Sequence, residues 1–150
     1  MTASKKLKLI PIMATIITAL LFSGCHLPTG NHEYDLPKNP QNFTTTENDE
    51  MDSMVITIGD RTYAPYGRVN HRMDNGTVRE CLGYIDGDKD YRVYTISQDP
   101  DDNYIMIKNE GGLKEQPEFW RDIATRGEDI FTPDLIIDNG YEQWAGSGIA

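Results

Sequence analysis

Histidine is nearly missing from this chain: His26 and His32 lie near its start, and His71 stands alone in the long stretch beyond residue 52. Cysteine is as scarce, with Cys25 and Cys81 only. A zinc site needs three or four His, Cys or carboxylate ligands at compatible spacing, and neither HxxxH nor CxxC occurs. Nucleophilic catalysis through histidine would have to pair His71 with Cys81 or Ser97, and neither GxSxG nor a phosphate-binding loop is present; Gly111-Gly112 reads as a turn. Cys81, beside Leu82, reads as a small buried hydrophobe. Basic residues are also few, 14 against 24 acids, for a net charge of −10. Phosphate neutralisation needs a basic face, so this balance excludes nucleic acid as the expected partner. Long apolar runs are lacking apart from Leu9–Phe22. At ~1.5 Å per helical residue that run reaches roughly 21 Å, short of the ~30 Å hydrocarbon core, and it contains Pro11.

What surrounds that run is more informative. Lys5, Lys6 and Lys8 precede it, giving the basic and then apolar segments of an export signal. Directly after it stands Leu21-Phe22-Ser23-Gly24-Cys25, which resembles the lipobox of bacterial lipoproteins. In that family small residues at the two positions before the cysteine admit the signal peptidase, and the cysteine becomes the lipid-bearing N-terminus. Ser23 and Gly24 fit; Phe22 stands where leucine is usual. The resemblance implies a signal peptide over residues 1–24, a covalent lipid on Cys25 and no other cofactor. It also implies a domain held at the cell membrane on its extracytoplasmic side. Each buried CH₂ contributes about 0.8 kcal/mol, so two or three acyl chains hold durably where one does not. With Cys25 acylated, Cys81 has no partner within the chain and no disulfide is expected.

Beyond the leader the chain carries 11 basic and 24 acidic residues, a net charge of −13. Residues 25–52 contain Pro28, Pro37 and Pro40 with many Asn, Thr and Glu, and read as a flexible tether. Its 27 residues after Cys25 would span roughly 30 Å as a random coil, holding an acidic domain off an anionic bilayer. Residues 53–150 then form the folded domain. Five short runs, Met54–Ile58, Arg61–Tyr66, Cys81–Ile85, Tyr91–Ser97 and Tyr104–Lys108, are separated by turn residues. Gly59-Asp60 predicts a two-residue hairpin. Tyr94 and Ile96 should share one face, with Tyr91, Val93 and Thr95 on the other. The expected fold is mainly β, a β-rich α+β domain: an antiparallel meander or half-barrel of about five strands with one or two short helices. The helices are expected over Thr77–Cys81 and Glu115–Ala124, the second with Phe119, Trp120 and Ile123 on its buried face.

Gly83-Tyr84-Ile85, Val93-Tyr94-Thr95-Ile96, Asp99-Pro100 and Tyr104-Ile105-Met106 resemble small surface lipoproteins of Firmicutes without assigned activity, which implies a β-rich fold and no chemistry. Asp86, Asp88 and Asp90 occupy positions 1, 3 and 5 of an EF-hand-like loop, a candidate calcium site. Tyr91 stands where that loop needs glycine and Ser97 where it needs glutamate, so an acidic hairpin turn is the competing reading. Tyr63, Tyr66, Tyr84, Tyr91, Tyr94, Tyr104 and Tyr141 can fill a core or, with Trp120, build a binding platform. The sequence therefore points to a lipid-anchored, non-enzymatic envelope protein whose acidic domain binds or braces an envelope protein or cell-wall component. The alternative is an accessory or solute-binding lipoprotein of a transport or wall-processing system, although a two-lobed receptor needs more chain than this.

Overall fold

Glycine and aspartate set the turns from which the architecture grows. Gly59 takes φ +64° between β3 (Ser53–Ile58) and β4 (Arg61–Val69), and the ladder closes on Ile58 opposite Arg61, the two-residue hairpin expected there. Asp86 and Gly87, at φ +51° and +80°, likewise turn β5 (Val78–Ile85) into β6 (Asp88–Ile96). The computed structural model describes residues 34–70, 73–74, 76–112 and 115–145. Within them β7 (Tyr104–Asn109), β8 (Glu118–Asp122) and β9 (Ile136–Asp138) follow in order, with short 3-10 turns at Ile123–Thr125 and Glu142–Trp144. Two strands precede the hairpins, β1 (Gln41–Phe43) and β2 (Thr45–Asn48). No helix among the described residues is long and apolar enough to cross a membrane.

The strands form one sheet in the order β1-β5-β6-β7-β8-β4-β3-β2, with β9 added to β4. All pairings are antiparallel except β1 on β5. The fold is thus mainly β, as expected, and its sheet is nearly closed, with nine strands rather than five. Three expectations are corrected. The folded body does not wait for Ser53: β1 and β2 lie within the stretch read as tether, because an edge strand facing water has no need of apolar residues. Thr77–Cys81 is largely strand, and the segment read as a second helix contains β8. Phe119 and Trp120 consequently point to opposite faces instead of sharing one.

Both faces of the sheet are apolar. One gathers Phe43, Ile56, Tyr63, Ile85, Val93, Ile105, Ile107 and Trp120. Phe43 sits at one end of the strand order and Ile56 one strand from the other end, so the sheet curls around this face. The other carries Ala64, Tyr66, Val78, Cys81, Tyr94, Ile96, Tyr104, Met106 and Phe119, and is covered by the C-terminal segment through Leu135, Ile136 and Trp144. Tyr94 and Ile96 share that outer face while Tyr91 and Val93 lie on the inner one, the alternation expected of β6. Trp144 stands edge-on to Tyr66 at 5.6 Å, and its Nε1 donates to the Pro65 carbonyl at 2.7 Å. Arg121, buried beneath, lies 5.4 Å from the Tyr66 ring and 5.2 Å from that of Trp144. It also donates to the carbonyls of Thr125 and Glu128, so a buried cation is satisfied by rings and backbone.

Closure depends on a close approach. A Cβ on Gly83 would fall onto the Gln41 carbonyl, which is backbone and cannot move aside without opening the β1–β5 pairing. Gly83→Ala should therefore lower stability by about 1–3 kcal/mol, the usual cost of forcing atoms into a filled site. The shift in the urea denaturation midpoint measures it; an unchanged midpoint would mean that β1 does not hold the seam.

Candidate functional site

Three groups of polar side chains stand out, and the first is the acidic β5–β6 turn. Asp86 Oδ1 accepts from the Thr45 amide at 3.0 Å and its Oδ2 from the Thr45 hydroxyl at 2.7 Å. The Asp86 and Gly87 amides donate in return to Phe43 O and Asn42 Oδ1, each at 2.8 Å. Asp88 Oδ1 takes the Asp90 amide at 2.9 Å, and the Asp90 side chain lies against Gly111. The three carboxylates of the candidate calcium loop thus diverge: one ties down β2, one caps its own turn and one packs on the β7–β8 connection. Among the described residues no three His, Cys, Asp or Glu side chains are placed to hold a metal ion. The position-1 aspartate is bonded to the N-terminal strands, and residues 86–87 make the turn between β5 and β6.

The second group surrounds the 99–103 loop at the far end of β6. Asp99 is buried, its Oδ2 accepting from the Tyr104 amide at 2.6 Å. Arg79 donates to the Asp99 carbonyl and pairs with the Asp102 carboxylate. Arg61 Nη1 and the Tyr63 hydroxyl both donate to the Asp102 carbonyl, at 3.0 and 2.9 Å. Burial pushes the Tyr63 hydroxyl up to about 12, so it remains a donor throughout the ordinary pH range. Asp102, at φ +55°, is held in a left-handed conformation by these contacts. Every group here is committed to fixing the loop, which is a structural use of its charge.

The third group is open. Tyr91, Ile107, Asn109, Glu115, Gln116 and Glu118 line a groove of about 440 Å³ at the rim of the concave face. Strand alternation puts Tyr91 on β6, Ile107 and Asn109 on β7 and Glu118 on β8 along one side of the sheet, with Tyr91 directly opposite Asn109. The Tyr91 hydroxyl donates to Glu115 Oε2 at 2.8 Å, and that bond raises its pKa, because losing the proton would leave two anions in contact. Glu118 Oε2 accepts from Trp120 Nε1 at a long 3.4 Å. The groove thus offers an aromatic ring, two amides and two carboxylates to a ligand that brings positive charge or donors.

No family of known proteins matches this chain, nor does any curated protein or solved structure. Function must be read from the residues themselves.

The sequence-expected sites divide accordingly. Leu21, Phe22, Ser23, Gly24 and Cys25 lie outside the described residues, as does His71. Cys81 is free and buried, and desolvation raises its thiol pKa, the opposite of an activated nucleophile. Of the tyrosines, Tyr63, Tyr66, Tyr94 and Tyr104 are core while Tyr91 lines the groove. Glu115 and Glu118 drew no attention in the sequence, where two acids three apart beside a proline look like any helix start.

Two outcomes follow from this chemistry. Calcium and magnesium should shift the melting temperature alike and slightly, by screening, and Asp88→Asn should leave that response unchanged; a calcium-specific rise lost in Asp88→Asn would restore the ion loop. The Asp99 carboxyl is raised by burial, so its ionisation opposes folding above its folded pKa and that opposition fades as pH falls through it. Asp99→Asn should accordingly compare better with the parent at about pH 7 than at about pH 3, read from paired melting curves. A difference independent of pH would refute the buried, raised carboxyl.

Proposed function

We propose that this chain is a lipid-anchored envelope protein, processed before Cys25 and acylated on it, whose β-rich domain works by binding or bracing a partner. The observation that carries the reading is an order of features: Lys5, Lys6 and Lys8, a short apolar run, Ser23-Gly24, then Cys25. Each has its use at that place in the lipoprotein pathway, and a chance cysteine would not bring the others with it. The domain then stands on the extracytoplasmic side of the cell membrane.

Binding is favoured over catalysis by what the reactive groups do. The Cys81 thiol is buried and its pKa raised; the carboxylates of Asp86, Asp99 and Asp102 are tied to backbone or to arginine. The groove beside Tyr91 retains exposed Glu115 and Glu118, which suit an amine or guanidinium presented by an envelope protein or by the cell wall. An acidic chain attracts such partners over about a Debye length, ~8 Å at physiological salt.

Labelling with radioactive palmitate in a bacterial host tests the anchor. The parent should incorporate label and partition into detergent, and Cys25→Ala should lose both, leaving an unprocessed or released chain. Label that persists after Cys25→Ala would end the lipoprotein reading.

A further inference from the structure

A proline opens the groove beside Tyr91. The β7–β8 ladder runs from Tyr104 opposite Arg121 to Ile107 opposite Glu118 and stops there. The residue before Glu118 is Pro117, which has no amide for a further rung. The chain at 115–117 therefore parts from β7, while β7 continues beside β6 as far as Asn109. Tyr91 from β6 and Glu115, Gln116 and Glu118 from the diverging chain line the resulting space of about 440 Å³, with Ile107 from the strand between them. Glu115 and Glu118 are exposed, and among the described residues no lysine or arginine pairs with either. Each has one oxygen engaged. Glu115 Oε2 accepts from the Tyr91 hydroxyl at 2.8 Å and Glu118 Oε2 from Trp120 Nε1 at 3.4 Å, while among the described residues no donor reaches Oε1 of either.

That arrangement distinguishes between cations. A guanidinium binds a carboxylate best through a two-point fork that uses both oxygens of one group. Tyr91 and Trp120 break that fork at both glutamates and leave one open oxygen on each. An ammonium is a compact charge with three rotatable donors, suited to single oxygens from two carboxylates. The Tyr91 ring adds a π face, and Ile107 adds apolar surface for a methylene stem. We propose that this groove takes the ammonium end of a lysine side chain on a partner protein, in preference to a guanidinium. The inference deepens the reading of the domain as a binding module and rests on it. Charge complementarity selects the partner: 11 basic residues against 24 acidic ones beyond the leader steer in a basic protein surface and repel a partner rich in carboxylates or phosphates.

The test is a calorimetric titration of the full-length acylated protein in neutral detergent with the end-blocked peptide Gly-Gly-Lys-Gly-Gly. Arginine in place of the lysine should weaken binding about three-fold, and acetyl-lysine or norleucine about ten-fold. Glu115→Gln and Glu118→Gln should each weaken lysine binding about five-fold with the melting temperature unchanged, whereas Asp101→Asn, which removes an exposed charge outside the groove, should not. Tyr91→Phe should narrow the preference for lysine over arginine, because it returns Glu115 Oε2 to a two-point fork; a tyrosine that only packs would leave that ratio unmoved. Arginine bound as tightly as lysine by the parent overturns the proposal. So does equal weakening by Asp101→Asn, which would make the attraction diffuse, and so does folded protein that binds none of the peptides, whether or not it is retained on purified cell wall. Each of these failures leaves palmitate labelling of Cys25, and with it the anchored reading, in place. Unlabelled protein that still prefers lysine removes the anchor and keeps the site.

Discussion

An open sheet exposes two rows of unpaired amides and carbonyls, and here one continuous piece of backbone occupies both. Gln41–Phe43 runs parallel along β5 and Thr45–Asn48 antiparallel along β3, with Thr44 alone between them. The pairing covers the outer edges of β5 and β3 with two short strands, and it lets Phe43 reach the residues it seals from water. The contact is slender, since β1 contributes three residues to a parallel ladder. Reinforcement comes from the neighbouring turn, where Asp86 and Gly87 exchange four hydrogen bonds with residues 42–45. Gly83, pressed by the Gln41 carbonyl, is the space that permits it.

The same closure explains which parts of the fold could be read from the sequence. β3, β4, β5, β6 and β7 each coincide with a run rich in β-branched or aromatic residues, and the Gly59-Asp60 turn stood where a two-residue hairpin needs it. β8 did not show itself, because a strand buried on both faces loses the polar-apolar alternation that identifies a strand. Phe119 and Trp120 side by side, with Ile123 beyond, imitate a helical stripe while serving two different cores. That one strand joins β7 to β4, so misreading it separates a meander from a hairpin and conceals the near-closed sheet. β1 and β2 were illegible for the opposite reason: their solvent-facing residues are polar, and β1 takes its support from a strand distant in sequence.

Charge was legible as an amount and not as an arrangement. Twenty-four acids suggested many possible sites, yet a carboxylate is also the best short acceptor for a stray amide. Asp86 takes Thr45 from 41 residues away, Asp122 caps Ala124 and Asp99 takes Tyr104. The acids at positions 1, 3 and 5 of the β5–β6 turn look like a ligand set only until the partner of the first is known. Glu115 and Glu118 have no such duty in a turn, and they line the groove beside Tyr91. No pattern in the sequence distinguishes the two uses, because the distinction lies in whether a backbone amide stands opposite.

Strand alternation finally divides two contacts between the faces of one strand pair. Tyr91 pairs across from Asn109 and faces the groove, while the next pair, Arg92 with Lys108, faces the other way and holds Tyr34. One residue along each strand, about 3.3 Å, separates the floor of the groove from the grip on the incoming chain. The groove beside Tyr91 and the contact on Tyr34 therefore occupy opposite faces of the same two strands.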